Sequence, residues 1–231
     1  MFIKLPFMII GMLRHVGQVV RHEAASDYGV RAQSGGEQLT SADDQASVAA
    51  ALAGVRSRDA GFDVAVPVRG VVRAREVVDR ARRTGDASAA RQVMADGLWR
   101  VLILLLDERA AHEVRRQGSS AVTAATVVSV TRDQLAEQLR IRLTCRGERC
   151  EVVGTDVLRG GPGQQEWLED WTVRRAATAT TPVHGGVLDG RCPQCGADLQ
   201  VGPDGSCAYC RALVLTGGRD WVVWSIEEAP W

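Results

Sequence analysis

Glu166-Trp-Leu-Glu-Asp-Trp-Thr-Val-Arg-Arg175 and Asp220-Trp-Val-Val-Trp-Ser-Ile-Glu-Glu228 read as two β-strands, and the 44 residues between them decide the fold. A structureless loop of that length is improbable inside a compact domain. The intervening stretch carries Cys192-Pro-Gln-Cys195, eleven residues, then Cys207-Ala-Tyr-Cys210. Two CxxC pairs at this spacing supply the four thiolates of a tetrahedral structural zinc site. Gly196, Gly202, Pro203 and Gly205 provide the turns between them. The economical reading is a zinc ribbon, residues 188–216, inserted between the last two strands of a sheet. Zinc stands in for the core that so short an insert lacks. A site of four thiolates is closed, with no coordination position left for a substrate.

Working back from the insert, the chain keeps a period of two as far as Gly118. Residues Ala121–Thr131 are rich in Val and Thr, and Leu139-Arg-Ile-Arg-Leu143 alternates as a half-buried strand does. Cys150–Val157 is its predicted hairpin partner, closed by Arg146-Gly-Glu-Arg149. Cys145 and Cys150 are then two small apolar residues at strand ends, with a cross-strand disulfide as the minority reading. Before Gly118 the period is helical. Phe62, Val66, Val68, Val71, Val72, Val77 and Val78 predict one helix, with Pro67 in its first turn or at a kink. A second is predicted from Asp86 to about Gln117, with Met94, Leu98, Val101, Leu102 and Leu105 on one face. Because Val101–Leu106 is apolar all round, this second helix is expected to be central.

Residues 1–60 form an apolar N-terminal segment and a flexible linker, and residues 61–229 form the domain. The segment Met1–Leu13 is apolar but interrupted by Lys4, and too short for the roughly 20 residues of a span. It reads instead as a segment that lies on a membrane surface, where it would add membrane affinity, or packs on the body of the protein. The linker is rich in Ala, Ser, Asp and Gly, with a weak Ala-rich helix from Asp43 to Val55. Lys plus Arg equals Asp plus Glu at 28 each. Four thiolates around a divalent ion lower the net charge by two. Neither balance is that of a general nucleic-acid binder, and Arg191, Arg211 and Arg219 around the ribbon are matched by Asp189, Asp198 and Asp204.

Two helices followed by four or five antiparallel strands is the order of an α+β fold in which a curved antiparallel sheet wraps a long helix. It resembles the cystatin-like or nuclear-transport-factor-two-like cone. On Glu169-Asp-Trp-Thr-Val-Arg174, Cys192-Pro-Gln-Cys-Gly-Ala-Asp-Leu199, Gly205-Ser-Cys-Ala-Tyr-Cys210 and Asp220-Trp-Val-Val-Trp-Ser-Ile-Glu227, the chain resembles bacterial members of the Tim forty-four-like domain family. The resemblance covers about residues 62–229. It implies a non-catalytic domain that docks on membrane lipid, a hydrophobic small ligand or a protein partner. The import role of the mitochondrial relative does not carry over, and that relative lacks the ribbon.

Candidate site residues follow. Cys192, Cys195, Cys207 and Cys210 are the zinc ligands. Trp99, Trp167, Trp171 and Trp221 are candidate pocket lining, although core packing is the commoner work of strand aromatics. Trp221 and Trp224 lie three apart and face opposite ways. His112, His184, Glu169 and Asp170 form no acid–base pair by their spacing, so the chain is read as not an enzyme. An enzyme or carrier using the cone pocket is the alternative, and a zinc-ribbon nucleic-acid module a weaker one. Zinc thiolates persist where thiols stay reduced, which places the protein in the cytoplasm, peripheral to the inner face of its membrane.

Overall fold

The computed structural model describes residues 42–228, all within one compact unit. The apolar segment Met1–Leu13 lies outside the described residues. Among the described residues the fold is α+β: three helices against an antiparallel sheet curled into a half-barrel. The helices are α1 (Ala42–Arg58), α2 (Ala65–Thr84) and α3 (Asp96–Ala111), with short 3-10 turns at Ala89–Gln92 and Val187–Asp189. The strands are β1 (Val114–Gln117), β2 (Ser120–Arg132), β3 (Ala136–Val153), β4 (Asp156–Ala176) and β5 (Val222–Glu228). β3 pairs with β1 and β2 along one edge and β4 along the other, and β5 pairs with β4. Residues 177–221, cysteines included, are inserted before the last strand.

Alternation builds the concave face. Leu139, Ile141, Leu143 and Cys145 of β3 are buried opposite Val173, Trp171, Glu169 and Trp167 of β4. Val71, Ala74 and Val78 of α2 fill the same core. The central helix is therefore α2 and not the leucine-rich segment after it. In α3 only Leu102 and Leu106 are buried, and Leu104 is 65% exposed. The single helix predicted from Asp86 to Gln117 does not form. The N–H of Ala95 and the C=O of Val93 bond to Val223 instead, which holds that segment extended. At the other end Glu113 turns back at φ 56°, and Val114 enters the sheet. Pro67 does sit in the first turn of α2, where no intrahelical N–H is required of it.

The hairpin predicted at Arg146–Arg149 is also corrected. Those residues run through the middle of β3, and the turn comes at Gly154-Thr155. Cys145 and Cys150 are thus on one strand, about 16 Å apart at 3.3 Å per residue, beyond disulfide reach. Both are free thiols. Gly118, between β1 and β2, faces this stretch of β3. A Cβ on Gly118 would meet the Glu148 carbonyl oxygen at 2.3 Å, and one on Gly147 would meet that of Ser119 at 2.3 Å. Two bare glycines let the backbones close in where the edge strand breaks and the sheet bends.

The Ala-rich helix of the linker is α1, and it belongs to the body: Val55 at its end is fully buried in the main core. Asp59 just beyond accepts from Arg175 at 2.6 Å, and Arg175 also donates to Glu137 at 2.7 Å. The Arg175 guanidinium stacks 4.4 Å over Trp221. This buried staple joins α1, the start of β3, the end of β4 and the residue before β5.

Candidate metal centre

The two CxxC segments fold into matching knuckles. In the first, the Gly196 N–H donates to Cys192 O at 2.9 Å and the Cys192 N–H to Ala197 O at 2.8 Å. In the second, the Arg211 N–H donates to Cys207 O and the Cys207 N–H to Ala212 O, both at 2.9 Å. Each knuckle closes through a residue in the left-handed region, Gly196 at φ 73° and Arg211 at φ 63°.

The knuckles bring the four predicted cysteines together: one ligand atom from each of Cys192, Cys195, Cys207 and Cys210 lies within 4.8 Å of the others. Cys192 Sγ and Cys210 Sγ are 3.7 Å apart. A tetrahedron with metal–sulfur bonds of about 2.3 Å has an edge of about 3.8 Å, so the donor set fits a four-coordinate metal ion. Backbone N–H groups prepare the sulfurs. Burial raises the Cys207 thiol, but N–H bonds from Cys210 and Tyr209 outweigh it and bring it down to about 7. Burial pushes Cys192 up to about 12 against similar bonds from Cys195 and Gln194. A metal ion bound by these four sulfurs would take the place of their protons.

Cys192 and Cys207 are fully buried in a second core with Val187, Leu199, Val214, Leu215 and Val222. Trp224 packs on its edge, on the opposite side of β5 from Trp221. The insert therefore rests on the outer face of β5. Asp220, just before that strand, accepts from the Val187 N–H at 2.6 Å, and burial raises its carboxyl to about 6.

The tryptophans proposed as pocket lining are placed as follows. Trp167, Trp171 and Trp221 are buried in the main core, and Trp99 packs half-buried against it, its indole N–H donating to Ala87 O. Trp167 and Trp171 each donate to Glu169 at 2.9 Å. Arg75 of α2 reaches the same carboxylate at 3.2 Å. Burial opposes ionisation of Glu169, but Arg75 and the two indoles hold it down at about 2. Beside it, burial pushes the Cys145 thiol up to about 12. Asp170 faces the other way and is gripped by Arg142 through two bonds of 2.7 Å. His112 caps the end of α3 at the surface, and His184 covers Gly196.

Sequence reasoning missed a largely buried ionic ladder between the helices α2 and α3 and the sheet. Besides Arg75–Glu169 it contains Arg82–Glu228, Arg109–Glu151 and Arg116–Asp79. Burial first, and then the neighbouring Arg116, bring the Arg82 guanidinium down to about 9. Part of the signal was present: Glu169 and Arg175 share the alternation of Trp167, Trp171 and Val173.

No protein-family model and no curated protein matches the chain. Among solved structures, the intermembrane space region of the chloroplast protein ARC6 is similar at a TM-score of 0.37 and 8% identity, over 72% of this chain and 96% of that one. No helix among the described residues is long and apolar enough to cross a membrane.

Proposed function

We propose that the chain is a non-catalytic binding or adaptor domain, related to the Tim forty-four-like family and clipped by a structural zinc ion. It docks on membrane lipid or a protein partner from the cytoplasmic side. The observation that supports this is the shared core of the cysteines and β5. Cys192 and Cys207 are buried with Val222, and Trp224 packs half-buried against them, so the ion organises a surface instead of a reaction centre. All four ligand positions are thiolates, which favours zinc over harder cations. The insert presents Tyr209, 59% exposed, and α3 presents Leu104, 65% exposed. Singly exposed apolar side chains are ordinary on a protein surface, and these two serve as probes of the faces that the insert and α3 present.

Metal analysis should return one zinc per chain, and a different metal or none would overturn that part. Vesicle co-sedimentation of the full chain with anionic and neutral lipids tests the docking. Pelleting that Tyr209→Asp or Leu104→Asp abolishes supports a lipid surface. Full pelleting by both variants removes these side chains from the contact, and no pelleting removes lipid as the partner.

A further inference from the structure

We infer that Cys195 is an oxidation site that controls the metal centre: a hydroperoxide oxidises its sulfur first among the four, a disulfide with Cys192 follows, and the ion is released. The inference rests on the metal site proposed above and adds a regulation to it.

The four sulfurs are not equivalent. Cys192 and Cys207 are fully buried, Cys210 is half-buried and Cys195 is exposed. Of the four, Cys195 alone lies outside the second core: Cys192 and Cys207 belong to it and Cys210 packs against it. The hydrogen bonds follow the same division. Cys192 accepts backbone N–H bonds from Cys195 and Gln194, and Cys207 accepts them from Cys210 and Tyr209. A thiolate whose charge is held by such bonds is the weaker nucleophile. A bound cation deprotonates coordinating thiols outright, so access and these bonds decide which sulfur reacts. Cys195 lines an open depression of about 520 Å³ together with His184, Arg191, Gly196 and Ala197. A molecule as small as hydrogen peroxide enters such a depression freely, whereas the core residues Val187, Leu199, Val214 and Val222 close off the buried pair.

The chemistry balances. The Cys195 thiolate attacks one peroxide oxygen, an S–O bond forms, the O–O bond breaks and hydroxide leaves. A second thiolate then attacks the sulfenic sulfur, the S–S bond forms, and the S–O bond breaks with loss of another hydroxide. The two sulfurs give up two electrons, and the peroxide leaves as two waters after taking two protons from solvent. Every ligand sulfur lies within 4.8 Å of the others. Cys192 is the partner because it sits three residues away in the same turn, which the Gly196 N–H closes on Cys192 O at 2.9 Å. A disulfide carries no thiolate charge, and Cys207 and Cys210 alone do not fill a closed four-coordinate site.

The test treats the full-length, zinc-loaded protein, its metal content measured first, with hydrogen peroxide in the presence of a chromogenic zinc chelator. The bound zinc should be lost together with two of the six thiols, and dithiothreitol with added zinc should restore both. Dimedone present during the reaction should mark Cys195, and without it peptide mass spectrometry should find the Cys192–Cys195 disulfide. Replacing Cys195 removes a ligand, so the comparison variant is Cys150→Ser, which alters a half-buried free thiol of β3 and leaves the site intact. It should release zinc at the wild-type rate. Dimedone on Cys210 or Cys150 ahead of Cys195, release abolished in Cys150→Ser, or thiols oxidised with zinc retained would each overturn the inference and leave the metal site standing. No zinc in the starting protein would overturn both.

Discussion

Arg211 holds in the second knuckle the place that Gly196 holds in the first. Each donates its N–H to the carbonyl of the leading cysteine, and each has positive φ. Only Gly196 is suited to that conformation, since a side chain in the left-handed region costs roughly 1–2 kcal/mol. Arg211→Gly is therefore expected to stabilise the insert, by up to about 1 kcal/mol after the loss of unfolded-state restriction. Gly196→Ala should do the reverse, because its Cβ would also lie 2.9 Å from His184 Cβ. Metal release rates under chelator, slower in the first variant and faster in the second, check the pair.

Removal of one ligand tests the metal itself. Cys192→Ala should abolish stoichiometric metal and expose residues 177–221 to limited proteolysis, while the main sheet keeps its circular dichroism. Metal binding releases protons, so affinity should fall as pH drops through about 7, where Cys207 gains its proton in the metal-free protein. An affinity flat between pH 8 and pH 6 would contradict the thiolate site.

Glu169 sets the acid limb of stability. Its folded value of about 2 lies below the ordinary 4.5. Its stabilisation is therefore present above pH 4.5 and is lost as pH falls toward 2, with a magnitude of roughly 3 kcal/mol. Glu169→Gln should remove about that much at pH 7 and flatten the pH dependence between 4.5 and 2, as read by urea unfolding. The carboxylate also bridges Trp167 and Trp171, so near-ultraviolet dichroism should change with it.

Asp220 works in the opposite sense. Its folded value, about 6, is raised from 3.8. The protonated form is favoured by folding, so its contribution is full below pH 4 and is lost as pH rises through 6. Asp220→Asn should remove this segment of the curve and leave the variant at least as stable as the parent at pH 8. A variant that keeps the wild-type slope between pH 4 and 6 would show that another group titrates there.

The strands were legible because burial alternates strictly from Leu139 to Glu151 and from Trp167 to Arg175, and because two CxxC pairs have few other readings. The helices were less so. Residues Val101–Leu106 are the most apolar run, yet the run sits at the periphery with Leu104 outward, whereas α2 goes to the centre while carrying Arg75 and Asp79 buried. Hydropathy cannot rank these two helices, because the charges of α2 are neutralised by residues distant in sequence: Glu169 for Arg75 and Glu228 for Arg82. The hairpin error at Arg146–Arg149 has the same origin. Gly147 resembles a turn residue, but it serves the close approach of Ser119 across the sheet.

β5 is an edge strand, paired on one side with β4 and bridged on the other at Val223 by Val93–Ala95. Its outer face, Val222 and Trp224, is covered by the metal insert. Loss of the ion would thus uncover an apolar strip on the most vulnerable border of the sheet, where unpaired backbone invites another chain to join. The metal-depleted protein should then fail first by self-association and not by melting, so the four cysteines guard solubility as much as shape.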